Sequence, residues 1–287
     1  MHSAVTIPKP HAPEHDKGAG AAIVVTCEHG GNRIPMPYRG LFAAHRDLLA
    51  SHRGFDAGAL VMAQSLATAL DAPLLTATVS RLLVDLNRSI GHPGLHFETV
   101  LALPGPQRRR ILTRHYQPYR RQAEELVEKG IASHGQVIHV SCHSFTPVLD
   151  GKRRTADIGL LYDPVRPGEK ALCAQWKRTL KSHAPELSVR RNYPYTGRND
   201  GLTAWLRKQH SAGCYVGIEL ELNQQLVGRE AYRWAALREV VVASFQAALA
   251  MGNEFGSRPP SPHEPRRPIQ TSRTVAHRVR CPKGAST

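Results

Sequence analysis

The chain has 287 residues, with 38 Lys and Arg against 23 Asp and Glu and a formal charge of +15. That length holds one large α/β domain or two small ones. The charge calls for an anionic partner, but seven basic residues against two acidic ones fall in residues 252–287, aromatics make up only 6% of the chain, and no nucleic-acid-binding module is recognisable. Nucleic acid is therefore not the expected partner, and a small anionic substrate is.

The five cysteines, at positions 27, 142, 173, 214 and 281, have no close spacing. They are not a disulfide framework, and they suit a reducing compartment. The amino terminus lacks a basic stretch followed by an apolar core, and no apolar run is expected to span a bilayer. A cytoplasmic protein without a membrane partner is the expectation.

In chain order, residues 1–20, with Pro8, Pro10, Pro13 and Gly18, read as a flexible segment. Ala22–Cys27 is apolar and β-branched, and reads as the first strand. Asp56 is placed to cap a helix that runs to Leu70 on Leu60, Val61 and Leu66. Pro73–Ala77 and Leu82–Leu86 read as the next two strands. A long helix follows from about Pro106 to Lys129, ended by Gly130. Then come strands at Gln136–Ser141 and Ile158–Tyr162, a helix at Lys170–Ser182 and a short strand at Leu187–Arg190. Leu202–His210 reads as a helix, Tyr215–Leu220 as a strand and Arg229–Met251 as a closing helix. From Gly252 onward, Pro and Arg replace periodic apolar residues, which is the composition of a disordered tail. The expected fold is one α/β domain over residues 21–251, a mixed, mostly parallel sheet with helices on both faces.

Open α/β sheets present reactive side chains at the carboxyl ends of their strands. Here His29 follows the first strand in Cys27-Glu28-His29-Gly30-Gly31, and His143 ends another in Ser141-Cys142-His143-Ser144. Zinc takes imidazole nitrogen and carboxylate oxygen, and a catalytic site leaves one position open. Glu28 and Asp56 are the candidates for a third, acidic ligand. Glu219 and Glu221 end an apolar strand two residues apart and so share a side. Glu219, nearer the strand body, is the preferred general base. Asp85-Leu86-Asn87-Arg88, with Arg81 before it, supplies planar cationic forks for a carboxylate or an oxyanion. Cys27 and Cys142 read as buried structural thiols. The turn-rich loop Tyr193–Gly201 is a candidate cover for the pocket.

Together these segments resemble the N-formylglutamate amidohydrolase family. The similar stretches are Val24–Asn32, Ser51–Ala59, Ser80–Ser89, Ser141–Thr146 and Gly217–Glu219, in the family's order and within residues 22–245. The resemblance implies a fold like that of zinc carboxypeptidases and aspartoacylase, and one divalent metal ion, zinc. It implies His29 and His143 as metal ligands, Glu219 as base and Arg81 as the group that polarises the scissile carbonyl. Asn87 and Arg88 would bind substrate. An aspartoacylase-like pattern has a glutamate where this chain has Asn32, so the third ligand comes from elsewhere, with Asp56 preferred and Glu28 the alternative. The implied reaction is hydrolysis of an N-formyl or short N-acyl acidic amino acid, N-formyl-L-glutamate first. The competing readings are a hydrolase of the same fold acting on a larger peptide or cell-wall amide, and a basic nucleic-acid-binding protein with a degenerate site.

Overall fold

The computed structural model describes residues 20–228 and 230–253. The expected amino-terminal segment before Gly20 and the basic tail beyond Asn253 lie outside the described residues. Strands β1 (Ala22–Cys27), β2 (Leu74–Thr76), β3 (Val137–Phe145), β6 (Ile158–Leu161), β7 (Val189–Arg191) and β8 (Tyr215–Asn223) form one sheet in the order β2-β1-β3-β8-β6-β7. The separate pair β4 (Val148–Leu149) and β5 (Lys152–Arg153) makes a hairpin. The helices are α1 (Arg46–Ala50), α2 (Ala59–Ala69), α3 (Glu98–Leu101), α4 (Gly105–Ile111), α5 (Gln117–His134), α6 (Pro167–His183), α7 (Leu202–Gln209), α8 (Gln224–Val227) and α9 (Ala231–Asn253).

β2, β1, β3 and β8 are mutually parallel, β6 runs antiparallel to β8, and β7 is parallel to β6. This is the expected mixed, mostly parallel sheet in a single α/β domain. Side chains alternate along each strand, and the two faces divide the core. Val25, Cys27, Val140, Cys142, Ile218, Leu220 and Leu222 pack with α2, α6 and α9. Val24, Leu75, Val137 and Tyr215 pack with α5, α7 and the loop through Leu82–Leu86. Trp176 of α6 and Phe245 of α9 lie with ring centroids 4.3 Å apart, and Trp176 Nε1 donates to Ser244 Oγ at 3.2 Å.

Several expectations are corrected. Leu82–Leu86 is a buried loop rather than a strand: its backbone bonds go to another loop, Asp85 N to Leu95 O and Phe97 N to Leu82 O. Apolar burial alone therefore mimicked a strand there. The long helix does not stop at Gly130 but continues to His134, where Gly135 takes the left-handed turn at φ 75°. Gly130 is instead a point of close approach, since a Cβ there would stand 3.1 Å from Ala22 and Val137. Asp56 does not cap α2, which begins after Gly58 at φ 80° without a side-chain cap. The β4–β5 hairpin turns on Asp150-Gly151, both at positive φ, a common two-residue turn.

α9 also departs from expectation. Ala231–Met251 is long and apolar enough to cross a bilayer by length and composition. In the fold it packs on α6 and α2 and buries Val241, Phe245 and Ala248 in the core.

Candidate metal centre and active site

The face of the sheet opposite α2, α6 and α9 turns polar toward the carboxyl ends of β1, β3 and β8. Period-two alternation puts Thr26 and Glu28, then His139, Ser141 and His143, then Glu219 and Glu221 on that face. Register sets them side by side, with Thr26 opposite Ser141, Ser141 opposite Glu219 and His143 opposite Glu221. All seven are buried. His143 is thus within β3, because the strand continues past Ser141 to Phe145.

Two loops complete the site. The Glu28–Asn32 turn lies against the chain after β2, with Gly30 N donating to Ala77 O and Arg33 N to Thr78 O, both at 2.9 Å. A Cβ on Gly31 would stand 2.8 Å from Thr78 O, so a side chain there would push the loops apart. Asp56 N donates to His29 O at 2.9 Å and carries the Asp56 carboxylate into the site. The loop at Ser80 is tied back through Ser80 Oγ to Gly54 O at 2.8 Å.

His29, Asp56 and His143 converge. Asp56 Oδ2 lies 3.3 Å from His29 Nδ1 and 2.9 Å from His143 Nδ1, and one donor atom from each residue falls within 4.8 Å of the others. Two imidazole nitrogens and a carboxylate oxygen, buried at a strand end, are a donor set suited to zinc. The outer nitrogens are both backed by carboxylates. His29 Nε2 is 2.7 Å from Asp85 Oδ1, and His143 Nε2 is 3.1 Å from Glu28 Oε2. Such partners fix the tautomer and leave both Nδ1 atoms facing Asp56. Glu28, the alternative ligand of the sequence reading, therefore reaches His143 from the far side. It is held there by Ser141 Oγ at 2.6 Å and Tyr119 Oη at 3.0 Å.

The electrostatics follow from that packing. Burial opposes the charge on Asp56, yet His29, His143 and Arg81 hold its carboxyl well below the usual carboxylate range. Burial likewise opposes the charge on Glu28 and is overridden by His143, Ser141 and Thr26. For Asp85, Arg81 and His29 override it. Burial favours neutral His143, but Asp56 and Glu28 raise its pKa well above the ordinary value.

Arg81, a quarter exposed, donates through Nη2 to Asp85 Oδ2 at 2.8 Å and through Nη1 to Asp56 Oδ1 at 3.2 Å. Asn87 Nδ2 approaches His143 Nε2 at 3.3 Å, and Asn87 Oδ1 accepts from Leu202 N at 2.6 Å. Arg88 turns toward the 193–201 loop, its Nη1 donating to Asp200 O at 2.5 Å. Asp200 in turn accepts from Ser89 N and Ser89 Oγ, which anchors that loop beside the site.

The two strand-end glutamates differ. Glu219 Oε1 accepts a 2.5 Å bond from Thr203 Oγ1 of α7. Glu221 Oε2 is buried with no hydrogen-bond partner among the described residues. Burial raises its pKa to about 8; His143 and Arg81 pull it down, while Asp56 and Glu219 push it up. Glu221 thus faces the same groups that surround the donor triad. Strand periodicity puts Glu221 on the same side as Glu219 and does not separate the two. The place of Asp85 behind His29 has no signal in the sequence beyond its tetrapeptide. Cys27 and Cys142 point to the apolar face, fully buried, and burial raises both thiols.

The family model described as N-formylglutamate amidohydrolase matches residues 21–227. A crystal structure of a gene product of Agrobacterium tumefaciens superposes with a TM-score of 0.70 at 27% identity, covering 83% of this chain and 94% of that one. The crystal structure of N-formylglutamate amidohydrolase from Ralstonia eutropha JMP134 superposes at 0.63 with 20% identity, covering 88% and 98% respectively, and at that identity shares the fold. No curated protein matches. The matched span contains every residue of the donor triad and its carboxylate partners, and the chain belongs to the N-formylglutamate amidohydrolase family.

Proposed function

We propose that the protein is a metal-dependent amidohydrolase that removes a formyl or short acyl group from the nitrogen of an acidic amino acid, N-formyl-L-glutamate being the first substrate to test. The observation that carries this reading is the convergence of His29, Asp56 and His143 beside Glu221, whose Oε2 has no hydrogen-bond partner among the described residues. Family membership supports amide hydrolysis, and the basic groups at the mouth suit an anionic substrate.

His29, Asp56 and His143 would hold the ion, zinc by the chemistry of the donors. When bound it supplies a Lewis acid and a more acidic water. Glu221 takes the proton from the attacking water, and it replaces Glu219 in that role because Glu219 is already committed to Thr203. Arg81, held by Asp85 and Asp56, offers its remaining N–H groups to the carbonyl oxygen and stabilises the charge that develops there. Asn87, anchored to the start of α7 through Leu202 N, places its amide beside His143 and lines the site. Arg88 keeps the 193–201 loop in place and offers its remaining donors to the substrate's α-carboxylate. Glu221 then delivers its proton to the departing amine.

The test is formate release from N-formyl-L-glutamate by purified protein, with chelator and with zinc restored. Release that stops with chelator and returns with zinc is the expected result. Zinc-loaded protein that releases no formate overturns the substrate, and activity indifferent to chelation overturns the metal.

A further inference from the structure

The proposed reaction leaves one recognition problem open: what reads the side-chain carboxylate of an acidic substrate. Arg81 is engaged with Asp56 and Asp85, and Arg88 leans on Asp200. A third arginine stands without an acid. Arg154, directly after β5, has no carboxylate partner among the described residues, and its Nη1 is buried with no hydrogen bond. Its guanidinium lies 5.8 Å from the ring centroid of Phe145 and 4.9 Å from that of Tyr195. Its Nη2 donates to Tyr195 Oη at 2.9 Å. Stacking on two rings desolvates a guanidinium without neutralising it. A buried, unsatisfied donor on a charged group is costly, and it calls for a partner the protein alone does not supply.

The register locates this cation relative to the donor triad. Phe145, whose ring lies under the guanidinium, is two residues beyond His143 on β3 and shares its face, a step of about 7 Å along the strand. An acylated glutamate has a comparable reach from its acyl carbon to its side-chain carboxylate. The hairpin turn at Asp150-Gly151 folds β5 back on β4, and Arg154 N donates to Pro147 O at 2.8 Å, which fixes the start of the side chain. Asn223 Nδ2, at the end of β8, donates to Arg154 O at 3.3 Å and ties the same residue to the strand that carries Glu221. Across the mouth, His52 feels Arg154, Arg53 and Arg81; burial and these cations lower its pKa while Asp56 opposes them. Arg154 and Arg81 both lie near enough to His52 to act on its charge.

Resting on the amidohydrolase reading, we propose that Arg154 is the specificity-determining residue that binds the side-chain carboxylate of a dicarboxylic acyl-amino acid. Tyr195 is 41% exposed and occupies the edge of the fork. A carboxylate that displaces its phenol meets Nη1 and Nη2 as two parallel donors, the bidentate geometry that arginine offers and lysine does not. The acyl group then lies toward His143 and Glu221, with the α-carboxylate left to Arg88.

The test compares wild type with Arg154→Met, which keeps an apolar stem against Phe145, and with Arg154→Lys. For N-formyl-L-glutamate, Arg154→Met should lower kcat/KM by about 10- to 100-fold, chiefly through KM. The loss with N-formyl-L-glutamine should be at least tenfold smaller. Arg154→Lys should recover only part of the discrimination. Equal losses on both substrates, or none on either, would overturn the assignment. A second arm is independent of turnover: calorimetry of L-glutamate and L-glutamine binding. Wild type should prefer glutamate, and Arg154→Met should lose that preference. A wild type that binds the two alike overturns the role of Arg154 even if formate is released. A wild type that prefers glutamate through Arg154 but hydrolyses neither formyl compound keeps this site and discards the proposed reaction.

Discussion

The two faces of β1, β3 and β8 are made from alternate residues of the same strands and do opposite work. On one, Val25, Cys27, Val140, Cys142, Ile218, Leu220 and Leu222 meet α2, α6 and α9 in an apolar core. On the other, Thr26, Glu28, Ser141, His143, Glu219 and Glu221 gather charge and hydrogen bonds in a space almost as dry. Burying charge is unfavourable unless it is paired. The polar face meets that requirement through a dense web of histidine, arginine and hydroxyl partners. The apolar face supplies the rigidity that holds the web in place. Glu221 is the exception on the polar face, a carboxylate left with an unpaired oxygen, and that exception is where the chemistry is proposed to occur.

The sharpest way to break this comparison is at the paired and unpaired glutamates. Glu221→Gln should lower kcat on N-formyl-L-glutamate by about 1,000-fold or more. Glu219→Gln should cost far less, since its partner Thr203 can still donate to the amide oxygen. Metal content measured on both variants separates lost catalysis from a lost site. A larger loss in Glu219→Gln than in Glu221→Gln would return the role of base to Glu219. On the opposite face, Leu220→Ala removes core contacts between the two glutamates in sequence. It should cost about 2–5 kcal/mol in urea unfolding, with kcat of the folded protein changed much less than in Glu221→Gln. A kcat collapse there would mean that the two faces are not separable.

The smallest effect concerns His139, buried between Thr26 Oγ1 at 2.8 Å and Tyr215 Oη at 2.7 Å. Burial, aided by Arg207 and His143 and opposed by Glu28, lowers its pKa from 6.5 to about 4. A neutral folded histidine binds fewer protons than the unfolded one, so its contribution is complete above pH ~6.5 and is lost as the pH falls toward ~4. Between pH 7 and pH 5 the loss should be on the order of 2 kcal/mol. His139→Gln should flatten this part of the stability profile in paired denaturation curves. An unchanged slope would mean that His139 is not the group responsible.

Much of this arrangement was legible before any geometry. The strands carrying His29, His143 and the glutamates were readable because β-branched apolar runs breaking into polar residues have few other uses. The Asp85–Arg88 tetrapeptide stood out because acid, amide and guanidinium rarely crowd a buried segment without a task. The choice between Glu219 and Glu221 was not legible. Both satisfy the same period of two, and only the tertiary structure gives Glu219 a partner, Thr203 of α7, 16 residues upstream in sequence. Arg154 was invisible for a similar reason, since its partners Phe145 and Tyr195 lie on either side of it in sequence and meet only through the hairpin and the 193–201 loop. Leu82–Leu86 misled because apolar burial looks alike in a strand and in a packed loop.

The sequence by itself determined the alternation of strand and helix, the face on which each strand residue stands, and the donor types gathered at the strand ends. These follow from local periodicity and side-chain chemistry, which need no partner to be read. Only the tertiary structure decided which atom meets which: Asp56 between two Nδ1 atoms, Glu28 and Asp85 behind the imidazoles, and, among the described residues, Glu221 Oε2 without a hydrogen bond and Arg154 without an acid. Those outcomes depend on loops brought together from distant parts of the chain, where the cost of burying a charge is settled by the neighbours that arrive rather than by the residues beside it in sequence.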